Sequence, residues 1–304
     1  MIIDTDAGLD DFLAIAYLLT RPEIRIEAFT LVNGVSDVDE GANAILLIQE
    51  KAGISPRIPV YKGAARPDNQ FPAEWRHSAS QLIDRLKWGR PSIPPQSISA
   101  EQFLAERLTP RRPPADILAI GPLTTLASVF RRTPAASRRV RKMVIMGGSI
   151  GPEGAQMGNI PPKLFAEGNI FVDPLAAEIV FSAGMKPTLV PLNATSQAII
   201  DMGFVKAFRS TTPLGRIAGE VLRMIAADSL GPGQPPYHAW DPLAAMYCVV
   251  PPVLNNIVPL RLTVVRTGDH AGETRIAAGE PNVLAAMGAD GVAFRDHYLT
   301  AFEN

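Results

Sequence analysis

The chain alternates short apolar runs, rich in β-branched residues, with longer segments in which apolar positions recur at helical spacing. The short runs predict strands at residues 1–4, 26–32, 60–61, 115–120, 142–146, 188–191 and 260–265. The longer segments predict helices at residues 11–20, 40–51, 98–107, 123–131, 175–183, 203–210 and 213–228. Strands and helices in this order predict an α/β fold, with a mostly parallel β-sheet flanked by helices and a Rossmann-like core.

Several proline-rich stretches lie between these elements, and the strand and helix patterns resume in the same style after each of them. We therefore expect a single domain that spans residues 1–304 rather than two domains joined by a linker. An apolar content of 47% in 304 residues is enough to bury a substantial core.

The formal net charge of −1 provides no basic surface for nucleic acid or for an anionic membrane. No apolar run approaches the length needed to cross a bilayer, and no leader pattern precedes the first strand. The single cysteine, Cys248, has apolar neighbours and is expected to be a buried small side chain, which suits a reducing compartment. These features predict a soluble, cytoplasmic protein.

Four aspartates, Asp4, Asp6, Asp10 and Asp11, lie where the first strand gives way to the first helix. They are expected to converge at the carboxyl end of that strand. The partial charge of a helix N-terminus stabilises one anion there by roughly 0.3–1 kcal/mol, which is too little to hold four carboxylates together. A hard divalent cation such as Ca²⁺ or Mg²⁺ would do so. The alternative is a solvated acidic helix cap, which a lone Asp-x-Asp would favour.

A second group of polar residues follows the strand predicted at 142–146. That strand ends in Gly147 and Gly148, where a backbone can approach a ligand closely, and Asn159, Glu167 and Asn169 come after it. Amide and carboxylate groups in this number suit a ligand with several hydroxyls. Solvated loop residues are the alternative interpretation.

Two further segments bring oxygen atoms to the same edge of the predicted sheet. Asp241 precedes Pro242 and an apolar helix-like run at 243–250, so it is expected to be the N-cap of a helix with Pro242 at the first helical position. A capping carboxylate at a sheet edge keeps one oxygen free for a metal. Ile120 ends the strand predicted at 115–120, and its carbonyl is expected to face the same point.

Taken together, these motifs resemble the inosine–uridine-preferring nucleoside hydrolase family, the nucleoside N-ribohydrolases, over essentially the full length of the chain. Because several spaced motifs occur in the right order, the resemblance is specific. The motifs are Asp4-Thr5-Asp6-Ala7-Gly8-Leu9-Asp10-Asp11, Ala119-Ile120-Gly121-Pro122-Leu123-Thr124, Met146-Gly147-Gly148, Glu167-Gly168-Asn169, Asp173-Pro174 and Asp241-Pro242.

The resemblance implies hydrolysis of the N-glycosidic bond of ribonucleosides to free base and ribose, with a Ca²⁺ at the carboxyl edge of the sheet. By position, it implies that the metal ligands are Asp6, Asp11, Asp241 and the carbonyl of Ile120, and that Asp6 takes the proton from the metal-bound water. It assigns substrate contacts to Asp10, Asn33, Trp75, Met146, Asn159, Glu167, Asn169, Trp240 and Asp241. A homodimer or homotetramer is expected.

The sequence departs from the family pattern at two places. Many members have a Gly-Asn pair after the second strand, whereas Asn33 here precedes Gly34, which shifts its expected position. Many members also have a histidine before the Asp-Pro motif as an acid toward the leaving base, where this chain has Trp240. Together with Trp75, this resembles the purine-preferring inosine–adenosine–guanosine branch, in which two tryptophans sandwich the base. Trp75 as a loop anchor and His238 as the acid remain alternatives.

Two other functions are compatible with parts of the pattern. Haloacid-dehalogenase-like phosphatases also place Asp-x-Asp after a first strand and bind Mg²⁺, and they would use Asp4 as the phosphoryl acceptor and Asp6 as the acid. That scheme leaves Asp10 and Asp11 without a role. A nucleoside- or sugar-binding protein without catalysis is the other alternative, as is a pyrimidine or non-specific nucleoside hydrolase.

Overall fold

The structure is a computed structural model, and it describes residues 1–64, 66–151, 158–161, 165–231, 233–234 and 236–303. The strands are β1 (Ile2–Thr5), β2 (Ala28–Leu31), β3 (Val60–Lys62), β4 (Ala115–Ala119), β5 (Val140–Met146), β6 (Thr188–Val190), β7 (Ile199–Ile200), β8 (Tyr237–His238), β9 (Leu254–Leu260), β10 (Leu262–Val264), β11 (Thr274–Ile276) and β12 (Val283–Ala289).

The helices connect these strands and cover the sheet. They are α1 (Leu9–Leu19), α2 (Val38–Lys51), α3 (Ser78–Arg85), α4 (Ala100–Arg107), α5 (Thr124–Arg132), α6 (Gly168–Val172), α7 (Pro174–Phe181), α8 (Leu192–Thr195), α9 (Met202–Ala207), α10 (Pro213–Ser229), α11 (Trp240–Tyr247) and α12 (Gly291–Thr300). Short 3₁₀ helices occupy Ala73–Trp75, Pro134–Arg139 and Pro251–Val253. None of the helices among the described residues is long and apolar enough to cross a membrane.

In the described part of the chain, eight strands form one sheet in the order β3-β2-β1-β4-β5-β6-β12-β9. Neighbouring strands are parallel except for the antiparallel pair β12 and β9. Strand β1 lies inside the sheet, between β2 and β4, and is buried on both faces. Ile3 belongs to the core beneath α1, α2 and α10, whereas Ile2 belongs to the core beneath α5 and α7. The predicted mostly parallel α/β fold is confirmed.

The turn after β1 directs the aspartates inward. Ala7 has a φ of 59°, in the left-handed region that non-glycine residues rarely adopt. This conformation ends the strand abruptly, and α1 starts two residues later with Asp10 and Asp11 in its first turn. Ser36 Oγ donates a 2.9 Å hydrogen bond to the Ala7 carbonyl and supports the turn from the neighbouring β2 side of the sheet. The predicted convergence of carboxylates at the end of β1 therefore has a backbone cause.

Two expectations about the C-terminal third are wrong. Residues 260–265 do not form one strand, because the chain leaves the main sheet at Arg261, and β10 pairs with β11 in a separate hairpin. Asp241 is not an N-cap, since α11 begins at Trp240 with Ala239 at the N-cap position. The Ala239 N–H donates to the Ala198 carbonyl at 2.8 Å, so the pairing of β7 and β8 leads directly into the helix.

The sequence pattern also does not predict β12 and α12. Strand β12 reads Val-Leu-Ala-Ala-Met-Gly-Ala, and its alanines and glycine have low strand propensity. It is a strand because it lies between β6 and β9 and is largely buried there. Helix α12 follows directly, with Asp290 as its N-cap and Phe294 and Tyr298 packed in the core.

Candidate active site

A cavity of about 600 Å³ opens at the carboxyl edge of the sheet, beside the ends of β1, β4 and β5. Its lining includes nearly all of the residues that the sequence assigns to the site. These are Asp6, Asp10, Asp11, Trp75, Ile120, Met146, Asn159, Glu167, Asn169, Trp240 and Asp241. Loops from four different strands and the start of α11 therefore meet at one place, as expected for the carboxyl edge of a parallel sheet.

Three carboxylates form the centre of the cavity floor. Asp10, Asp11 and Asp241 each provide an oxygen, and these atoms all lie within 4.8 Å of one another. The resemblance instead places Asp6 among the metal ligands and Asp10 among the substrate contacts. Asp6 lines the same cavity and lies against Asp11, so four acids share this space.

Backbone and hydroxyl donors fix the orientation of two of these carboxylates. Asp11 accepts hydrogen bonds from the Thr5 hydroxyl and from the Gly8 N–H, the latter at 2.9 Å. Asp6 Oδ2 accepts a 2.8 Å hydrogen bond from the Val35 N–H, in the loop after β2. Each carboxylate keeps lone pairs for a further partner, because a carboxylate has about four acceptor sites.

The crowding of buried carboxylates in this cluster favours the binding of a cation. Burial, and then the charge of Asp11, raises the pKa of Asp10 to about 7. Burial, followed by Asp11, raises the pKa of Asp6 well above its usual range, and burial, followed by Asp10, does the same for Asp241. The candidate metal-ligand atoms are all oxygens, and Ile120, whose carbonyl accepts a hydrogen bond from Asn169, also lines the cavity. A hard divalent cation fits this donor set and would neutralise it.

The second half of the predicted polar set surrounds the start of α6. Glu167 is the N-cap of this helix, and its carboxylate accepts hydrogen bonds from the backbone N–H groups of Gly148, Asn169 and Ile170 at 3.0, 2.9 and 3.1 Å. These backbone donors belong to two separate segments, and they fix the position of the Glu167 carboxylate. Burial raises the pKa of Glu167 despite these hydrogen bonds.

Two amide side chains complete this wall. Asn169 Nδ2 donates to the carbonyls of Ile120 and Met146 at 3.3 and 3.4 Å, which ties α6 to the ends of β4 and β5. Asn159 Oδ1 accepts a 2.8 Å hydrogen bond from the Gly168 N–H. The predicted acceptors and donors thus meet in one wall beside the aspartates.

Aromatic side chains form the outer half of the cavity. Trp75, on the 3₁₀ helix before α3, is 39% exposed, and Trp240 is half-buried at the start of α11. The ring of Tyr237 meets Trp240 edge-on, with centroids 4.8 Å apart. Burial, and then the carboxylate of Asp10, raises the pKa of Tyr237 well above its usual value, so its hydroxyl stays neutral and can donate to that carboxylate.

The structure places three other candidates away from the cavity lining. Asn33 is bonded through its Oδ1 to Arg76 at 2.9 Å, so its contact with substrate stays a prediction. His238 does not line the cavity, and burial lowers its pKa, which makes it a poor acid. Asp4 is fully buried in the sheet, where the Thr30 hydroxyl donates to it. This location argues against Asp4 as a phosphoryl acceptor.

The sequence did not point to several residues that line the outer half, among them Phe71, Ser78, Gln81, Asp228, Ser229 and Tyr237. They come from the segment before the first 3₁₀ helix, from α3, from the end of α10 and from β8, which approach the sheet edge only through tertiary packing. For Tyr237, its position three residues before Trp240 is the sequence feature that indicates a place near the site.

The fold and the cavity define an α/β protein whose sheet has, at its carboxyl edge, an acidic site suited to a metal ion. The sequence model of the family described as inosine-uridine preferring nucleoside hydrolase matches residues 1–296. The chain belongs to this family, as the sequence motifs predict.

Individual relatives agree with this assignment. Uridine nucleosidase 1 of Arabidopsis thaliana is 39% identical over 201 residues, which cover 65% of this chain and 57% of that protein. The pyrimidine-specific ribonucleoside hydrolase RihA of Citrobacter koseri is 34% identical over 225 residues, which cover 73% of this chain and 69% of that protein.

Solved structures share the fold over nearly the whole chain. A plant nucleoside hydrolase, the PpNRh1 enzyme, superposes with a TM-score of 0.85 at 25% identity, covering 99% of this chain and 98% of that chain. A purine-preferring ribonucleoside hydrolase from Gardnerella vaginalis gives a TM-score of 0.83 at 23% identity, covering 99% and 97% of the two chains, and shows likeness of fold alone.

Proposed function

We propose that this protein hydrolyses the N-glycosidic bond of ribonucleosides and prefers purine nucleosides. The observation that carries the proposal is the division of one cavity into two chemically different halves. The inner half holds four carboxylates and the wall of Glu167 and Asn169, and the outer half holds Trp75 and Trp240. A ribose with its hydroxyls suits the inner half, and a flat base suits the outer half.

Ca²⁺ is the proposed cation, held by Asp6, Asp11, Asp241 and the Ile120 carbonyl. A Ca²⁺ in this position would neutralise the acids, orient the ribose hydroxyls and lower the pKa of a water that it binds. Asp10 lies close enough to the other carboxylates to belong to the ligand set as well. The all-oxygen ligand set supports a hard cation over zinc, whose protein sites usually include histidine nitrogen or cysteine sulfur.

The remaining steps are assigned to side chains. Asp6 takes the proton from the attacking water, since its carboxylate is fixed by the Val35 N–H and keeps free lone pairs. Asp10 accepts hydrogen bonds from the 2′ and 3′ hydroxyls, and Glu167 and Asn169 bind the 5′ end. The surrounding carboxylates stabilise the positive charge that develops on the ribose as the bond breaks.

The charge of the cavity supports nucleosides over nucleotides. Among the described residues, the lining has no lysine, arginine or histidine, while it has seven carboxylate side chains. They belong to Asp6, Asp10, Asp11, Glu74, Glu167, Asp228 and Asp241. A 5′-phosphate would face buried Glu167 without a compensating cation, so inosine should be cleaved and its 5′-monophosphate should not.

The purine preference rests on the two tryptophans. Stacking of a base on an aromatic ring contributes roughly 1–3 kcal/mol, and a purine offers the larger face. A pyrimidine preference is the second candidate, because the Arabidopsis and Citrobacter relatives are named for uridine and pyrimidine substrates. We take the leaving base to pick up its proton from solvent, which suits a purine with its basic imidazole nitrogen.

A chromatographic panel of inosine, adenosine, guanosine, uridine and cytidine with the Ca²⁺-loaded protein tests the proposal. We expect free base from all three purine nucleosides with a higher kcat/KM than from the pyrimidine nucleosides. Trp240→Ala should lower purine turnover more than it weakens ribose binding. Equal or faster cleavage of uridine would instead establish the pyrimidine alternative. Phosphate release from nitrophenyl phosphate would establish the phosphatase alternative, and binding without products would establish the binding-protein alternative.

A further inference from the structure

A strap, defined as residues 69–76, lies along the cavity and contributes Phe71 and Trp75 to its lining. One end of the strap is fixed to α6. Asn69 donates through its backbone N–H and its Nδ2 to two carbonyls of that helix, at 2.8 and 2.9 Å. Phe71 lies so close to Gly168 that a Cβ there would be 2.7 Å from its ring. The strap therefore packs against α6, the helix at whose start Glu167 and Asn169 lie.

The other end is fixed by one guanidinium group. Arg76 Nε donates to the Gly34 carbonyl at 3.1 Å, and its Nη2 donates to Asn33 Oδ1 at 2.9 Å. Its remaining amino group, Nη1, donates to Gln70 Oε1 within the strap at 3.0 Å. A planar guanidinium with several fixed donors can join two chain segments in this way, whereas a lysine ammonium cannot reproduce the geometry.

The segment that Arg76 holds, residues 33–35, also determines where Asp6 lies. The Val35 N–H donates to Asp6 Oδ2 at 2.8 Å. Gly34 packs closely against the same side chain, since a Cβ on Gly34 would lie 2.0 Å from Asp6 Oδ2. Any movement of this segment must therefore displace the carboxylate of Asp6.

We propose that Arg76 is a positioning residue: it fixes residues 33–35, and through Val35 the carboxylate of Asp6, relative to the strap that carries Trp75. Arg76 does not line the cavity, so it acts through these contacts and not on the substrate. The same arrangement assigns Asn33 the task of holding Arg76. The inference rests on the proposed role of Asp6 as the base.

The test compares Arg76→Met with Arg85→Met. Arg85 is the matched control, because its side chain pairs with Glu220 across α3 and α10 and does not line the cavity. With Ca²⁺-loaded protein and inosine, we expect Arg76→Met to lower kcat by about 10- to 100-fold, as a small misplacement of a reacting group does, with a much smaller change in KM. Arg85→Met should keep the wild-type kcat.

Three further measurements separate positioning from general damage to the fold. Amide hydrogen exchange should become faster at residues 33–35 in Arg76→Met and not in Arg85→Met. Guanidinium ion should restore part of the activity of Arg76→Ala, whereas Arg76→Lys should remain impaired. In a double-mutant cycle, Asn33→Ala should lower kcat alone and add nothing in the Arg76→Met background, because both changes break the same contact.

Several results would overturn the inference. They are a wild-type kcat in folded Arg76→Met, a rise of KM alone, unchanged exchange at residues 33–35, or an additive effect of Asn33→Ala that reveals a direct substrate contact. If Arg76→Met does not fold, Asn33→Ala with its exchange measurement decides the question. Failure of the proposed function is distinguishable, since wild-type protein would then release no base from inosine, and failure of the proposed role of Asp6 would leave Asp6→Asn active. Failure of this inference alone leaves Asp6→Asn inactive and Arg76→Met active.

Discussion

Replacement of Gly34 by alanine should disable the site while leaving the fold intact. An added Cβ would lie 2.0 Å from Asp6 Oδ2 and 2.6 Å from Asp6 Cβ, whereas real Cβ contacts are essentially never below 3.0 Å. Rotation of the carboxylate cannot relieve the contact with the Asp6 Cβ. Either the loop or the end of β1 must move, and the carboxylate oxygen has to shift by about 1 Å.

A displacement of this size at a reacting group costs about 100-fold in rate, which corresponds to about 2.7 kcal/mol in the activation barrier. Steady-state kinetics with inosine, together with a thermal melt by circular dichroism, measure the two effects separately. Gly219→Ala in α10 is the control, because its Cβ would lie 3.4 Å from the Phe208 ring, in ordinary contact. A folded Gly34→Ala protein with the wild-type kcat would refute the reasoning that close packing against Gly34 holds Asp6 in place.

Three other predictions follow from the same geometry. Asp6→Asn should lower kcat by about 10²–10⁴-fold while a nucleoside still binds by calorimetry, since the base is lost but most ribose contacts remain; near-normal turnover would remove Asp6 from that role. Chelation of the cation should lower the melting temperature by about 4 °C relative to calcium at 100 times its Kd, because buried carboxylates lose their counter-charge, and an unchanged melt would contradict a metal at this site. Burial raises the pKa of the Cys248 thiol to about 12, so iodoacetamide should modify it far more slowly in the folded than in the unfolded protein at pH 8, and faster only as pH rises toward that value. Equal rates at pH 8 would show that the thiol is accessible and ionised.

The inner half of the site was predictable because its acidic and amide residues lie close together in short segments of the sequence. Asp6, Asp10 and Asp11 lie within one strand-to-helix connection, and Glu167 and Asn169 lie at the start of α6, at the end of the segment that follows β5. Both segments follow strands of a parallel sheet, and parallel strands end at a common edge. The sequence alone therefore predicts where these residues meet.

The outer half was harder because its residues come from elements with no local signature of function. Gln81 and Asp228 lie on helices whose sequences indicate only amphipathic packing, and the cavity forms where these helices approach the sheet. The position of Asn33 was also not predictable, since its partner Arg76 is distant in sequence. Strand β12 was missed for a related reason, because neighbouring strands rather than residue preference make it a strand.

A proton NMR time course of inosine with the Ca²⁺-loaded protein tests the central claim most directly. Attack by water on the face of the ribose opposite the base predicts hypoxanthine together with α-ribose as the first sugar product, before mutarotation. Inosine that remains intact would contradict the hydrolase assignment, and β-ribose at early times would contradict direct attack by water and indicate a covalent intermediate.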